Sequence, residues 1–143
     1  MADMTVHALA VKRGLIDHLM VAPGLSAFQV SWSFPRNPGR YWVMVGKIDW
    51  QDSHWVTNRQ TETVYDIHTV VSVAVPGADA EKVESSALQA AEAIRLSLVS
   101  DPSVGGIAIS SVFVPDRLIS WPTPDGHEAQ WEGTVRITAR DSR

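Results

Sequence analysis

One unit constrains this chain more than any other: Arg59 to Val99, which reads as a long strand, a sharp turn and an amphipathic helix. Tyr65, Ile67, Thr69, Val71, Val73 and Val75 fall on alternate positions, with Asp66, His68 and Ser72 between them. Side chains of a strand alternate between its two faces, so this pattern predicts a strand buried on one side and partly wet on the other. Pro76-Gly77 ends it, because proline has no N–H for the ladder and glycine lets the chain turn. Asp79 predicts a helix N-cap, its carboxylate accepting from N–H groups that the first turn leaves unpaired. Val83, Ala87, Ala90, Ala91, Ile94 and Leu98 then recur at helical spacing in one apolar stripe. Its small alanines predict close approach to a sheet. No catalytic constellation sits on this unit, so function is to be sought in assembly.

The flanking segments supply the rest of the layers. From Thr5 to Met20, Ala8, Leu9, Leu15, Ile16, Leu19 and Met20 share one side of a helix, and His7, Arg13, Asp17 and His18 the other. Lys12 interrupts the apolar side, where its stem is expected to lie flat with the ammonium reaching out. Gly14 costs such a helix about 1 kcal/mol relative to alanine. Ala27 to Phe34 alternates as a strand, the turn cluster from Pro35 to Arg40 follows, and Tyr41 to Ile48 is a second strand. Together they predict a hairpin with a basic tip. Asp49 to Asn58 reads as irregular. After the second helix, Ile107 to Val114 is a strand, Pro115 to Pro124 an extended proline-bearing segment, and Asp125-Gly126 a tight turn. The last strand carries Trp131, Val135 and Ile137 on one face and Glu132, Thr134, Arg136 and Thr138 on the other, before a short polar tail from Asp141 to Arg143. The expected architecture is one α+β domain over residues 1–143: a mainly antiparallel sheet of about five strands with two helices packed on one face. The opposite face, where His68, Ser72 and Thr134 mix with apolar residues, need not be covered.

Composition narrows the chemistry. A chain of 143 residues with 45% hydrophobic and 20% charged residues can bury a core of its own. Its formal charge of −4 offers no basic footprint for wrapping nucleic acid. With no cysteine, disulfides, thiolate metal sites and cysteine nucleophiles are excluded together. The start of the chain lacks the basic and apolar segments of a signal peptide, and no apolar run is long enough to predict a membrane-spanning helix. Six tryptophans are the compositional oddity, and tryptophan is favoured at protein interfaces.

Motifs for phosphate binding and serine nucleophiles are missing. Gly105-Gly106 follows a helix instead of opening one, and Ser110 and Ser111 lie in a strand without an elbow turn. Glu62, Asp66 and His68 share a strand face as potential ligands, yet next-but-one residues of a strand stand roughly 6–7 Å apart, a poor first shell for a metal. A solvated or subunit-contacting face is the plainer reading. Asp49, Asp52 and His54 lack the glycine and terminal glutamate of a calcium loop, and His127-Glu128 has no visible nucleophile to serve. Trp32 and Trp42 with Arg36 and Arg40 resemble a single-strand nucleic-acid platform, but the acidic balance favours core plus subunit contact.

Three stretches carry a family resemblance: Thr57-Asn58-Arg59-Gln60-Thr61-Glu62-Thr63-Val64-Tyr65; Ala80 to Val99 with Asp101-Pro102-Ser103-Val104-Gly105-Gly106; and Ile119-Ser120-Trp121-Pro122. In these, and in the order of elements around them, the chain resembles the tail terminator (tail-completion) proteins of long-tailed, siphovirus-like bacteriophages. The resemblance implies a structural virion protein, not an enzyme, with no cofactor. Such a subunit joins a homohexameric ring that caps the tail tube, stops its polymerisation and offers a docking surface for the head-side connector. The implied partners are further copies of the chain, the tail tube protein and the connector, with DNA only as cargo passing through the lumen and no membrane. The implied location is the head-proximal end of the virion tail, and the host cytoplasm during assembly. Interface residues are read from this sequence itself: Trp50, Trp55 and Trp121 in irregular segments, with Arg59 and Glu62 as cross-subunit ion pairs. The alternatives are a head–tail connector (neck) or minor tail protein of the same assembly, and a small ligand-binding α+β enzyme.

Overall fold

The computed structural model describes residues 4–57 and 60–142. Its elements are α1 (Met4–Met20), β1 (Gln29–Ser31), β2 (Tyr41–Thr57), β3 (Gln60–Pro76), α2 (Ala80–Ser100), β4 (Ser110–Thr123) and β5 (Gly126–Ser142). The strands form one sheet in the order β1-β2-β3-β5-β4, antiparallel throughout except for the parallel pair β1–β2. This is an α+β fold with its two helices against a mainly antiparallel sheet of five strands.

The strand–turn–helix unit forms as its residues predict. Asp79 Oδ1 accepts from the Lys82 N–H at 2.9 Å, capping α2. Val83, Ala87, Ala90, Ala91, Ile94 and Leu98 are all buried, and the alternate residues Tyr65, Ile67, Val71 and Val73 of β3 meet them in one core. From α1 the same core receives Ala8, Val11, Leu15, Ile16 and Leu19. Across the sheet, the register aligns Val43, Val71, Trp131 and Leu118 in one row on this helix-covered face.

Two glycines carry packing roles here. A Cβ on Gly14 would stand 3.0 Å from Ile107 Cγ2, so the glycine that weakens α1 as a helix makes room for the chain leaving α2. On β5 the space above Gly133 is filled by the indole of Trp131, which stacks in parallel with Phe113 at 5.1 Å between ring centroids.

Four local expectations are corrected. The segments around β1 and β2 do not form a hairpin: β1 shrinks to three residues and runs parallel to β2. Residues 32–40 between the two strands are long enough to carry the chain back along so short a strand, so that β1 enters in the same direction as β2. Asp49 to Thr57 is not irregular but continues β2, paired with β3. Register shifts at Val45/Ile48, Trp50/Asp52 and Trp55/Thr57 break the alternation that would have marked it as a strand. Asp141 and Ser142 belong to β5 instead of a tail, because β3 extends far enough to pair with them. The Lys12 ammonium does not reach out: it lies 4.3 Å from the Trp32 ring centroid, 7% exposed, and burial lowers its pKa.

Candidate assembly surfaces

The face of the sheet turned away from the helices is a ladder of ion pairs. In β3 it presents Glu62, Asp66, His68 and Ser72, the even-numbered set between the core residues. The register sets Glu62 opposite Arg140 and Asp66 opposite Arg136 on β5. Arg136 donates from Nε and Nη2 to the two Asp66 oxygens at 2.8 and 3.0 Å, a bidentate geometry. Arg140 Nε stands 3.5 Å from Glu62 Oε2. Glu132 takes Arg117 of β4 through Nε and lies 3.8 Å from His68 Nε2, so three strands are tied at one level. The Ser72 hydroxyl donates to Glu128 at 3.1 Å. The hydrogen bonds they donate to Glu132 and Asp66 push the Arg117 and Arg136 guanidinium groups above their ordinary pKa. Toward the β1 margin the ladder gives way to apolar residues: Trp42 and Val70 are buried, and Phe34 meets Trp42 edge-on at 5.3 Å while staying 62% exposed.

The candidate ligands and bases have partners within the chain. Asp66 and Glu62 are each matched to an arginine, and the described residues contain no group of three or more His, Asp or Glu placed to hold a metal. His127 Nδ1 meets the Ala78 carbonyl at 2.9 Å and therefore donates there, tying the start of β5 to the approach to α2. Asp49 faces Lys47 at 3.5 Å. The open face is thus largely charge-matched within the chain.

Of the proposed interface residues, Trp50 is 44% exposed and its ring meets Tyr65 edge-on at 5.7 Å, at the rim of the core. Trp121 lies on β4 opposite Glu128, half-buried. Glu62 has Arg140 of its own chain beside it. Arg59 and the side chain of Trp55 lie outside the described residues. The structure therefore brings Glu62 and Trp121 to the sheet, and Trp50 to the edge of the core.

Residues that the sequence reading passed over form a second surface. Leu88, Leu96 and Val99 of α2 are off its core stripe and are 48%, 51% and 64% exposed. Leu88 and Leu118 floor an open groove of about 740 Å³ between α2 and β4, rimmed by Glu81, Glu84 and Glu92. Glu84 accepts from the Ser120 hydroxyl at 3.1 Å, joining helix and strand across it. The signal was present: these leucines and valine recur on one side of the helix, but the stripe of Val83 to Leu98 already accounted for a buried face.

No family model and no curated protein matches the chain. Among solved structures it is similar to a chain of the virion of a native gene transfer agent (GTA) particle, with a TM-score of 0.59 and 15% sequence identity. The match covers 92% of this chain and 95% of the other, so the two share a fold over nearly their whole lengths.

Proposed function

We propose that this chain is a structural protein of a phage-like virion, and within it the tail terminator: a subunit of a hexameric ring that caps the tail tube and receives the head-side connector. The observation that carries the reading is the end-to-end likeness of fold to a virion chain. The surfaces suit the role. The sheet has two unlike margins, a three-residue β1 on one side and β4 with its groove on the other, and unlike margins allow head-to-tail contacts that close into a ring. The charge of −4 lets DNA pass a lumen without adhering to it. No reaction and no cofactor belong to this reading.

Light scattering over a range of concentrations, with the chain alone and with tail tubes, tests it. The expected result is a closed hexamer, either in solution or on tubes. A monomer or dimer that ignores both concentration and tubes overturns it. Trp121→Ala is expected to keep the fold, read by its thermal transition, while ring formation weakens. Unfolding of that variant as a monomer would instead assign Trp121 to the core.

A further inference from the structure

We propose that the groove between α2 and β4 receives the loop of residues 34–40 from a second copy of this chain, so that Phe34, Arg36 and Arg40 of one subunit dock on Leu88, Leu118, Glu81 and Glu84 of the next. This rests on the ring reading above and names the contact that would close it.

Charge supplies the first argument. The groove is lined by three glutamates and no lysine or arginine; Glu92 is taken by Arg95 of its own helix and Glu84 accepts only the neutral Ser120 hydroxyl, so no cation among the described residues matches Glu81 or Glu84. At the other margin Arg36 and Arg40 are exposed, and no ion pair holds either among the described residues. Each margin thus carries what the other lacks, and complementary charge selects and orients a partner.

Apolar surface supplies the second. Phe34 at 62% exposure and Leu88 at 48% are large side chains left in water on opposite margins of one molecule. An aromatic anchor entering an apolar floor with charges at its rim is the usual build of an interface centre.

Sheet register supplies the third. Phe34 rests on Trp42, and the row through Trp42 runs to Ser72, Gln130 and Ile119. The next row ends at Leu118, which floors the groove. Loop and groove therefore stand at about the same height at opposite margins of the sheet, Phe34 against its open face and the groove on its helix-covered face. A neighbour set at that height and turned about the strand direction brings one to the other without sliding along the strands, and a rotation between neighbours is what a closed ring needs. Backbone pairing between edges is the weaker route: β1 has three residues, and β4 carries Pro115, Pro122 and a register break between Pro115 and Arg117.

Because the chain has no cysteine, introduced thiols report this contact without background. Asn37→Cys in the loop and Ser85→Cys in the groove are made singly and together in the full chain, then treated with a short bismaleimide. The double variant is expected to give a covalent ladder ending at the ring, and a mixture of the single variants a cross-linked dimer. Light scattering accompanies this. An oligomer that forms but gives no 37–85 cross-link overturns the groove assignment and leaves the ring reading standing. A chain that is monomeric at every concentration and on tubes, with no cross-link, overturns both. Cross-linking of Ser85→Cys to tube protein instead of position 37 also overturns the assignment, giving the groove another occupant. Charge exchange provides an independent readout: Arg36→Glu with Arg40→Glu, or Glu81→Lys with Glu84→Lys, is expected to raise the association midpoint about tenfold, and mixing the two proteins to restore it. Leu88→Lys, at an exposed position, is expected to weaken association similarly with the thermal transition unchanged. Failure of the mixture to recover counts against the pairing.

Discussion

The helix-covered face of the sheet and the face left open are built from alternate residues of the same strands, yet they answer to different physics. On the covered face, Ile67, Val71 and Ile137 are completely buried and gain their stability by leaving water. On the open face, their immediate neighbours Asp66 and Arg136 keep contact with solvent and gain only what a half-exposed ion pair offers. The covered face therefore decides whether the chain folds. The open face is under less constraint from folding, and its ladder of matched charges pairs side chains within the chain. Among the even positions of β3, Asp66 and His68 keep contact with solvent and are where a change costs folding least, whereas Val70 and Ser72 are buried.

The comparison breaks first at Val71. Val71→Asp sets a carboxylate at a completely buried position of the core, a penalty of about 4 kcal/mol against a typical total of about 5–15 kcal/mol. The expected outcome, read by circular dichroism and denaturant titration, is a chain that no longer folds cooperatively at neutral pH. A native-like transition in that variant would mean the helices do not seal this face.

Asp66→Asn, one face over and a few residues away, sharpens the same comparison from the other side. It removes the carboxylate that Arg136 grips with two hydrogen bonds but leaves a guanidinium that is 46% exposed and can turn to water. The denaturation midpoint is expected to move far less than for Val71→Asp, and the difference from wild type to fade as salt is added. A loss comparable to that of Val71→Asp would mean that the ladder carries folding stability and that the open face is structural.

How much of this was legible depended on whether a single local rule governed each segment. The strand from Tyr65 to Val75, its Pro-Gly stop, the Asp79 cap and the α2 stripe each obey one rule, and they appear where the residues predict them. The far half of β2 was hidden because three register shifts scatter Trp50, Asp52 and Trp55 out of phase with any period of two. The parallel β1–β2 pair was hidden for another reason. Alternation in residues 27–34 reports a strand but not its direction, and the direction is set by where Phe34 and Trp32 find partners, on Trp42 and beside Lys12. The ion-pair ladder needed the register between β3 and β5, which composition does not contain. The groove was missed because Leu88 and Leu118 are far apart in sequence and meet only when α2 crosses β4.

The smallest effect expected belongs to the end of α2, where the helical layer hands the chain back to the sheet. Asp101 accepts from the Ser103 hydroxyl at 2.5 Å and from the Gly105 N–H at 2.9 Å, and these bonds, the serine's foremost, hold its carboxyl below the ordinary value of 3.8. A depressed folded-state pKa means the unfolded chain takes up a proton first as pH falls. The contribution of Asp101 is therefore fully present above the ordinary value and disappears as pH drops through the folded-state value. Asp101→Asn lacks it at every pH. The gap between the denaturation midpoints of wild type and variant should be constant from neutral pH down to the ordinary carboxylate range, then close below it. Glu92, lowered by its hydrogen bonds to Arg95, titrates in the same acid window but is common to both proteins and cancels in the difference. A gap that stays open in acid would show that the turn is held by its backbone path through Val104 and Ala108 and not by the Asp101 carboxylate.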